Sequence, residues 1–298
     1  MPQRGGYSLI EMDKTRLAVI ENIRAALAEG NSFAKVEIGD PQVTDEDVKR
    51  VIEPFDTLRR NPINKIKAHI ARRIAERETE ARNKNTKIVG LENIEGIEGG
   101  AIITCNHFNV IDNTIPRILA MKAGKAKKFD IVVQETNIFM EGFFGFLMKN
   151  ANTLPVSRSA SYMAKNLKPA LKSLLSKGHF ILIYPEQEMW FNYKKPRELR
   201  DGAYHYAAEF GVPIIPCFVT MESLDTVDAQ GFFDIAHTLH VMPPIYPDSS
   251  LSVRENRIAM HEHDRKLKLD CYERTYGYPV SCDFDPVRDI AGYRPEAQ

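Results

Sequence analysis

From about residue 88 the chain alternates short apolar runs with longer amphipathic stretches. Ala101–Cys105 (AIITC), Ile131–Val133, Thr153–Val156, His179–Tyr184 (HFILIY), Pro213–Thr220 (PIIPCFVT) and Thr238–Met242 read as strands. Several are continuously apolar rather than alternating, the pattern of strands covered by helices on both faces. Helices are predicted between and after them, over Val110–Ala123, Ile138–Asn150, Ser161–Lys177, Gly202–Phe210 and Leu251–Arg274. The fold class is therefore α/β, with a central mostly parallel or mixed sheet flanked by helices.

The preceding region has a different texture. Leu17, Ile20, Ile23 and Leu27 share one side of a helix predicted over Asp13–Glu29, which Gly30 closes. Gly39-Asp40-Pro41 breaks the chain, and Thr44-Asp45-Glu46-Asp47 has the form of a capped start of a short helix. Farther on, Ile63, Ile66, Ile70 and Ile74 recur at the spacing of one helical stripe. These patterns divide the chain into an N-terminal helical appendage (1–86), an α/β domain (87–275) and a turn-rich C-terminal tail (276–298) expected to lie on the surface.

Composition narrows the classes. The 298 residues carry 40 Lys+Arg against 40 Asp+Glu with 43% hydrophobic content, an ordinary globular balance that argues against a nucleic-acid partner. There is no apolar run of about 18 residues, and the opening MPQRGGYSLIEMDK has no apolar signal core. Cys105, Cys217, Cys271 and Cys282 lack CxxC spacing and read as reduced thiols. A cytoplasmic protein is expected, soluble or peripheral on the inner face of the cell membrane. Charge is uneven, however: Leu58 to Lys84 carries nine basic side chains against three acids. Together with the isoleucine stripe, that suits an anionic membrane surface. Packing of the stripe on the α/β core, with the charges in water, is the other reading.

The most informative stretch is Thr104-Cys105-Asn106-His107-Phe108-Asn109-Val110-Ile111-Asp112. An Asn-His pair follows a buried strand, and groups beyond a strand's carboxyl end sit where α/β sheets bind ligands. Were both helical, His107 and Asp112 would point about 140° apart. They meet only if His107 is still in the loop, and Asp112 then fixes the imidazole tautomer and leaves the other nitrogen as a base. A structural histidine at a strand end is the plain alternative.

Three further blocks follow in order: Leu154-Pro155-Val156-Ser157-Arg158, Tyr184-Pro185-Glu186 and Val212-Pro213-Ile214-Ile215-Pro216. The ordered set resembles the glycerophospholipid acyltransferases of the PlsC type. Their NHxxxxD block is matched by Asn106, His107 and Asp112, and the arginine of their second block by Arg158. Their Phe-Pro-Glu-Gly-Thr-Arg run is matched only in Tyr184, Pro185 and Glu186. The resemblance covers about residues 87 to 245 and implies a PlsC-like fold. It also implies transfer of a fatty acyl group from an acyl-coenzyme A or acyl-carrier-protein thioester to a hydroxyl of a lysolipid, lysophosphatidate first. His107 would be the base, Asp112 its support, and Asn106, Arg158, Glu186 and Arg200 substrate contacts. No metal or bound cofactor is implied.

The third block departs from the pattern. Gln187, Glu188 and Met189 stand where it runs Gly-Thr-Arg, so phosphate contact shifts to Arg158 and Arg200. Lys194, Lys195 and Arg197 either join them or lie in a solvated loop. The same change raises a second reading, in which Glu186, Glu188 and Trp190 receive a cationic acceptor. Two other rivals are a non-catalytic lipid-binding module and a hydrolase acting on thioesters or lysolipids. The aromatic run Ile138–Met148 lines an acyl chain or packs in the core. A Cys105 nucleophile is a further option, although a buried small residue is expected there. His261-Glu262-His263-Asp264 looks metal-like, but only His261 and Asp264 share a helix side, and a solvated face is expected.

Overall fold

The computed structural model describes residues 12–39, 41–55 and 61–295. Strands β1 (Lys87–Val89), β2 (Ala101–Thr104), β3 (Phe129–Gln134), β4 (Thr153–Val156), β5 (Phe180–Ile183), β6 (Ile214–Val227) and β7 (Phe233–Val241) form one sheet ordered β1-β7-β6-β2-β5-β3-β4. Strands β6, β2, β5, β3 and β4 run parallel. β7 returns antiparallel to β6, and β1 lies parallel to β7. The sheet is thus mixed, as the apolar runs predicted. β2 is buried along its whole length, as its unbroken AIIT requires. β6 and β7 are longer than expected because their outer halves form an arm whose Glu222, Ser223 and Asp225 face solvent, beyond the apolar signal that ends near Thr220.

Helices α1 (Lys14–Ala28), α2 (Pro62–Arg82), α3 (Thr114–Lys122), α4 (Gly142–Asn150), α5 (Lys168–Ser176), α6 (Gly202–Phe210) and α7 (Val253–Tyr276) surround the sheet. The start signal at Thr44 works as read. Asp13 caps α1 by accepting from Thr15 and Arg16, and Thr44 forms a reciprocal capping box with Asp47. The α1 stripe packs Val19, Ile20, Ile23 and Ala26 against Trp190, Phe191, Phe232 and Ile290, so this helix buttresses the loop after β5.

The α2 stripe behaves otherwise. Ala71, Ala75 and Thr79 face inward, and the two alanines pack with Ala151, Phe146 and Leu147 at the end of α4. Ile63, Ile66 and Ile70 are 64%, 63% and 47% exposed. The small residues, not the isoleucines, make the contact, because alanines let two helices approach closely. Leu58, Arg59 and Arg60 of the basic stretch lie outside the described residues.

The segment after Gly277 corrects the expectation of a surface tail. Asp289, Ile290 and Ala291 are buried, and Lys195 Nζ reaches Asp289 at 2.9 Å. Backbone bonds join Lys194 N to Asp289 O and Ala291 N to Asn192 O, at 2.9 Å each. Turn-rich sequence concealed this strap because it is held by backbone pairing and buried charges, which leave no periodicity.

Candidate active site

β2 delivers His107 to the loop beyond its carboxyl end, and the chain then turns before α3 begins. Asp112 sits in that turn, ahead of the helix, where its carboxylate can fold back on the loop. Its Oδ2 lies 2.8 Å from His107 Nδ1 and accepts from the backbone N–H groups of Phe108 (2.8 Å) and Asn109 (3.1 Å). Its Oδ1 accepts the Tyr184 hydroxyl at 2.6 Å. An ionised carboxylate only accepts, so Nδ1 carries the proton and Nε2 has a free lone pair. The Asp112 side chain is 2% exposed, that of His107 22%. The carboxylate is sealed and the imidazole is reachable.

The turn after β5 braces this loop. Glu186 is buried; its Oε2 accepts the His107 backbone N–H at 3.1 Å and lies 3.0 Å from Arg197 Nη2. Arg197 also bonds the carbonyls of Ser32 and Glu188 and lies over the Trp190 ring at 4.5 Å. Burial pulls its guanidinium below the usual arginine range, opposed by the Glu186 charge. Trp190 N and Asn192 N donate to the carbonyls of His107 and Phe108. Glu186 is therefore a strut for the His107 loop, not an open substrate contact.

The expected cation receptor is likewise corrected. Trp190 is fully buried with Arg197 on its face, and Glu188 accepts from Gln134 at 2.7 Å, so the protein's own arginine takes the place foreseen for a cationic head group. Gln187 keeps a positive φ of 63°, a conformation glycine adopts without strain. Here the turn itself demands that conformation.

Asn106 is buried and spends its amide on β6, accepting from Val219 N at 2.8 Å and donating to Val219 O at 3.0 Å. It pins the end of β2 and does not face the open side. Arg158 follows β4, three places along the sheet from β2 and so about 14 Å away at ordinary strand spacing. Its guanidinium is engaged by Glu135 at 2.9 Å, Asp45 at 3.4 Å and the Val43 carbonyl. Arg200 is exposed, stacks on Phe33 at 3.6 Å and donates its backbone N–H to Pro185 O. Lys195 and Arg197 are both buried, neither solvated nor free for phosphate.

Cys105 is buried, and desolvation with the charges of Cys217 and Asp112 pushes its thiol well above the usual range, which disqualifies it as a nucleophile. Asp264 of the metal-like run is buried and takes hydrogen bonds from Thr104 at 2.7 Å and Tyr204 at 2.6 Å, with Lys268 beside it. That network fixes the end of β2 from below. Sequence reasoning missed the roles of Tyr184, Arg197 and Asn192. Only Tyr184 carried a signal, a hydroxyl added to the aromatic position of the third block.

No curated protein matches the chain. The crystal structure of the 1-acyl-sn-glycerophosphate acyltransferase PlsC from Thermotoga maritima superimposes over 90% of this chain and 97% of its own, at 15% identity and a TM-score of 0.49. The Acyltransferase family model matches residues 85–220, the span that holds β2, the His107 loop, β5 and the Glu186 strut. Over those residues the domain built around this site is similar to the acyltransferase family.

Proposed function

We propose that the protein transfers a fatty acyl group from a coenzyme A or acyl-carrier-protein thioester to the hydroxyl of a lysophospholipid, with lysophosphatidate the first acceptor. The observation that carries this is the oriented imidazole: Nδ1 held by a sealed carboxylate, with the ring partly exposed beyond the carboxyl end of β2. Nε2 removes the hydroxyl proton as the oxygen attacks the thioester carbonyl. The tetrahedral intermediate then expels the thiolate, which recovers that proton. Asp112 stays ionised and supports the imidazolium, and a base so placed contributes about 10²- to 10⁴-fold. Of the two arginines assigned to the acceptor phosphate, Arg200 is retained, since Glu135 and Asp45 already engage Arg158. The test is thiol release from acyl-coenzyme A in the presence of lysophosphatidate. Loss of release in His107→Ala, with a diacyl lipid as the wild-type product, supports transfer. Free fatty acid would instead indicate a hydrolase, and lipid binding without turnover a non-catalytic module.

The reaction takes place at an anionic membrane surface, we further propose, on its cytoplasmic side. Among the described residues no helix is long and apolar enough to cross a membrane. The surface of α2 instead presents Ile63, Ile66 and Ile70 beside exposed Lys65, Lys67, Arg73 and Arg77. The neighbouring α4 adds Phe143 and Phe144, about half exposed. Outward isoleucines ringed by cations fit the boundary of anionic lipid. Sedimentation with phosphatidylglycerol vesicles tests this, and equal binding by Ile63→Ser/Ile66→Ser would remove the membrane role.

A further inference from the structure

We infer that Tyr184 is a positioning residue of the His107–Asp112 pair, its hydroxyl locking the carboxylate and its ring bracing the imidazole. This rests on the reading of His107 as the base. Asp112 has two oxygens and distinct duties for each. Oδ2 serves the imidazole and the two loop N–H groups, while Oδ1 is held by Tyr184 alone among the described residues, at 2.6 Å. The Tyr184 ring lies parallel to the imidazole, with centroids 4.1 Å apart and planes 13° from one another. One side chain on β5's end therefore restrains both members of the pair, which come from β2's end.

The phenol is a dependable donor. Burial, reinforced by the Asp112 charge, pushes its ionisation well above the ordinary tyrosine range, so it keeps its proton wherever the enzyme works. Without that O–H, Oδ1 would be left buried and unpaired, and the carboxylate would be free to rotate away from Nδ1. Negative charge would also concentrate on Oδ2, and the imidazolium would be held more strongly. The base would become stronger and less well aimed. The other groups around the imidazole are Glu186, through the His107 backbone N–H, and His237 beyond Phe108, while Cys105 and Arg117 bear on Tyr184 through their charges. None of them touches Oδ1.

Tyr184→Phe isolates the hydroxyl because it keeps the ring. The histidine ring signals of the labelled full-length protein are followed by NMR against pH, with the His107 signal assigned by its loss in His107→Ala. The midpoint for His107 is expected to rise by about one pH unit in Tyr184→Phe, the scale of one hydrogen bond to a charged group. 3-Fluorotyrosine placed at position 184, a stronger donor, should move it downward. In the thiol-release assay, kcat should fall about tenfold while KM stays within about twofold, and Tyr184→Leu, which removes the stacked ring as well, should fall further. A lower melting temperature with an unmoved His107 midpoint would make Tyr184 a packing residue and overturn the inference. Undiminished thiol release in His107→Ala would instead defeat the reading of the base itself, so the two failures are separable.

Discussion

Two histidine–carboxylate pairs stand at opposite ends of one sheet. At the carboxyl end His107 Nδ1 lies 2.8 Å from Asp112, and at the amino end His179 Nδ1 lies 2.6 Å from Asp130. Side-chain exposure is nearly the same, 22% and 2% for the first pair against 17% and 5% for the second. Distance and burial do not separate them. The surroundings do: Asp112 lies in a loop and is held by two further N–H groups and a phenol, whereas Asp130 is a residue of β3 and His179 directly precedes β5. Ligands of open α/β sheets gather at the carboxyl ends of strands, so only the first pair is placed to meet one. A histidine–aspartate contact becomes a candidate for chemistry through what else fixes the acid.

The comparison breaks most directly by deleting each imidazole. His107→Ala is expected to lower kcat by about 10⁴-fold, at the upper end of general-base catalysis, while His179→Ala leaves it within about twofold in the same thiol-release assay. Asp112→Asn should cost about 10³-fold, because an amide offers the imidazole a donor as readily as an acceptor, whereas Asp130→Asn should again be silent. Equal losses at the two ends would erase the distinction. The scaffold below the active end can be probed by Lys268→Met, which leaves Asp264 buried without its cation under Thr104. Urea unfolding should show a loss of about 3 kcal/mol.

The smallest expected effect concerns His237, stacked on Phe108 at 5.6 Å. Burial depresses its protonation below the ordinary histidine value of 6.5, with the Asp112 charge opposing. Unfolded chains therefore bind more protons just below pH 6.5, so stability at this site is full above that pH and is lost as pH falls through the folded value. His237→Phe should flatten the decline in melting temperature between about pH 6.5 and 5 without altering the neutral value by more than a degree or two.

Legibility followed the kind of force involved. Strands such as Ala101–Thr104 and Thr153–Val156 were readable because burial on both faces needs apolar side chains, and the capped start at Thr44 because unpaired helix donors need oxygen acceptors. His107 and Asp112 stood out by spacing and by the blocks that follow them. What stayed hidden were long-range polar contacts: Asn106 to Val219, Glu186 to Arg197 and Lys195 to Asp289 cross between elements without any local pattern. The isoleucine stripe of α2 was seen as a stripe, yet periodicity cannot say which way a face points, and the alanines decided that. Gln187 concealed its turn because it holds a glycine-like backbone with a side chain attached.

The C-terminal strap also bears on how the enzyme is assembled. Asn192, which donates its backbone N–H to Phe108 in the His107 loop, is paired with Ala291, 99 positions later. The sheet holds wider pairings, such as Ile102 with Ile214, so the strap differs from it by resting on an isolated bridge between Tyr193 and Ile290 and not by its span. A single proteolytic cut in the exposed stretch near Cys282 should therefore leave the sheet paired and loosen the His107 loop.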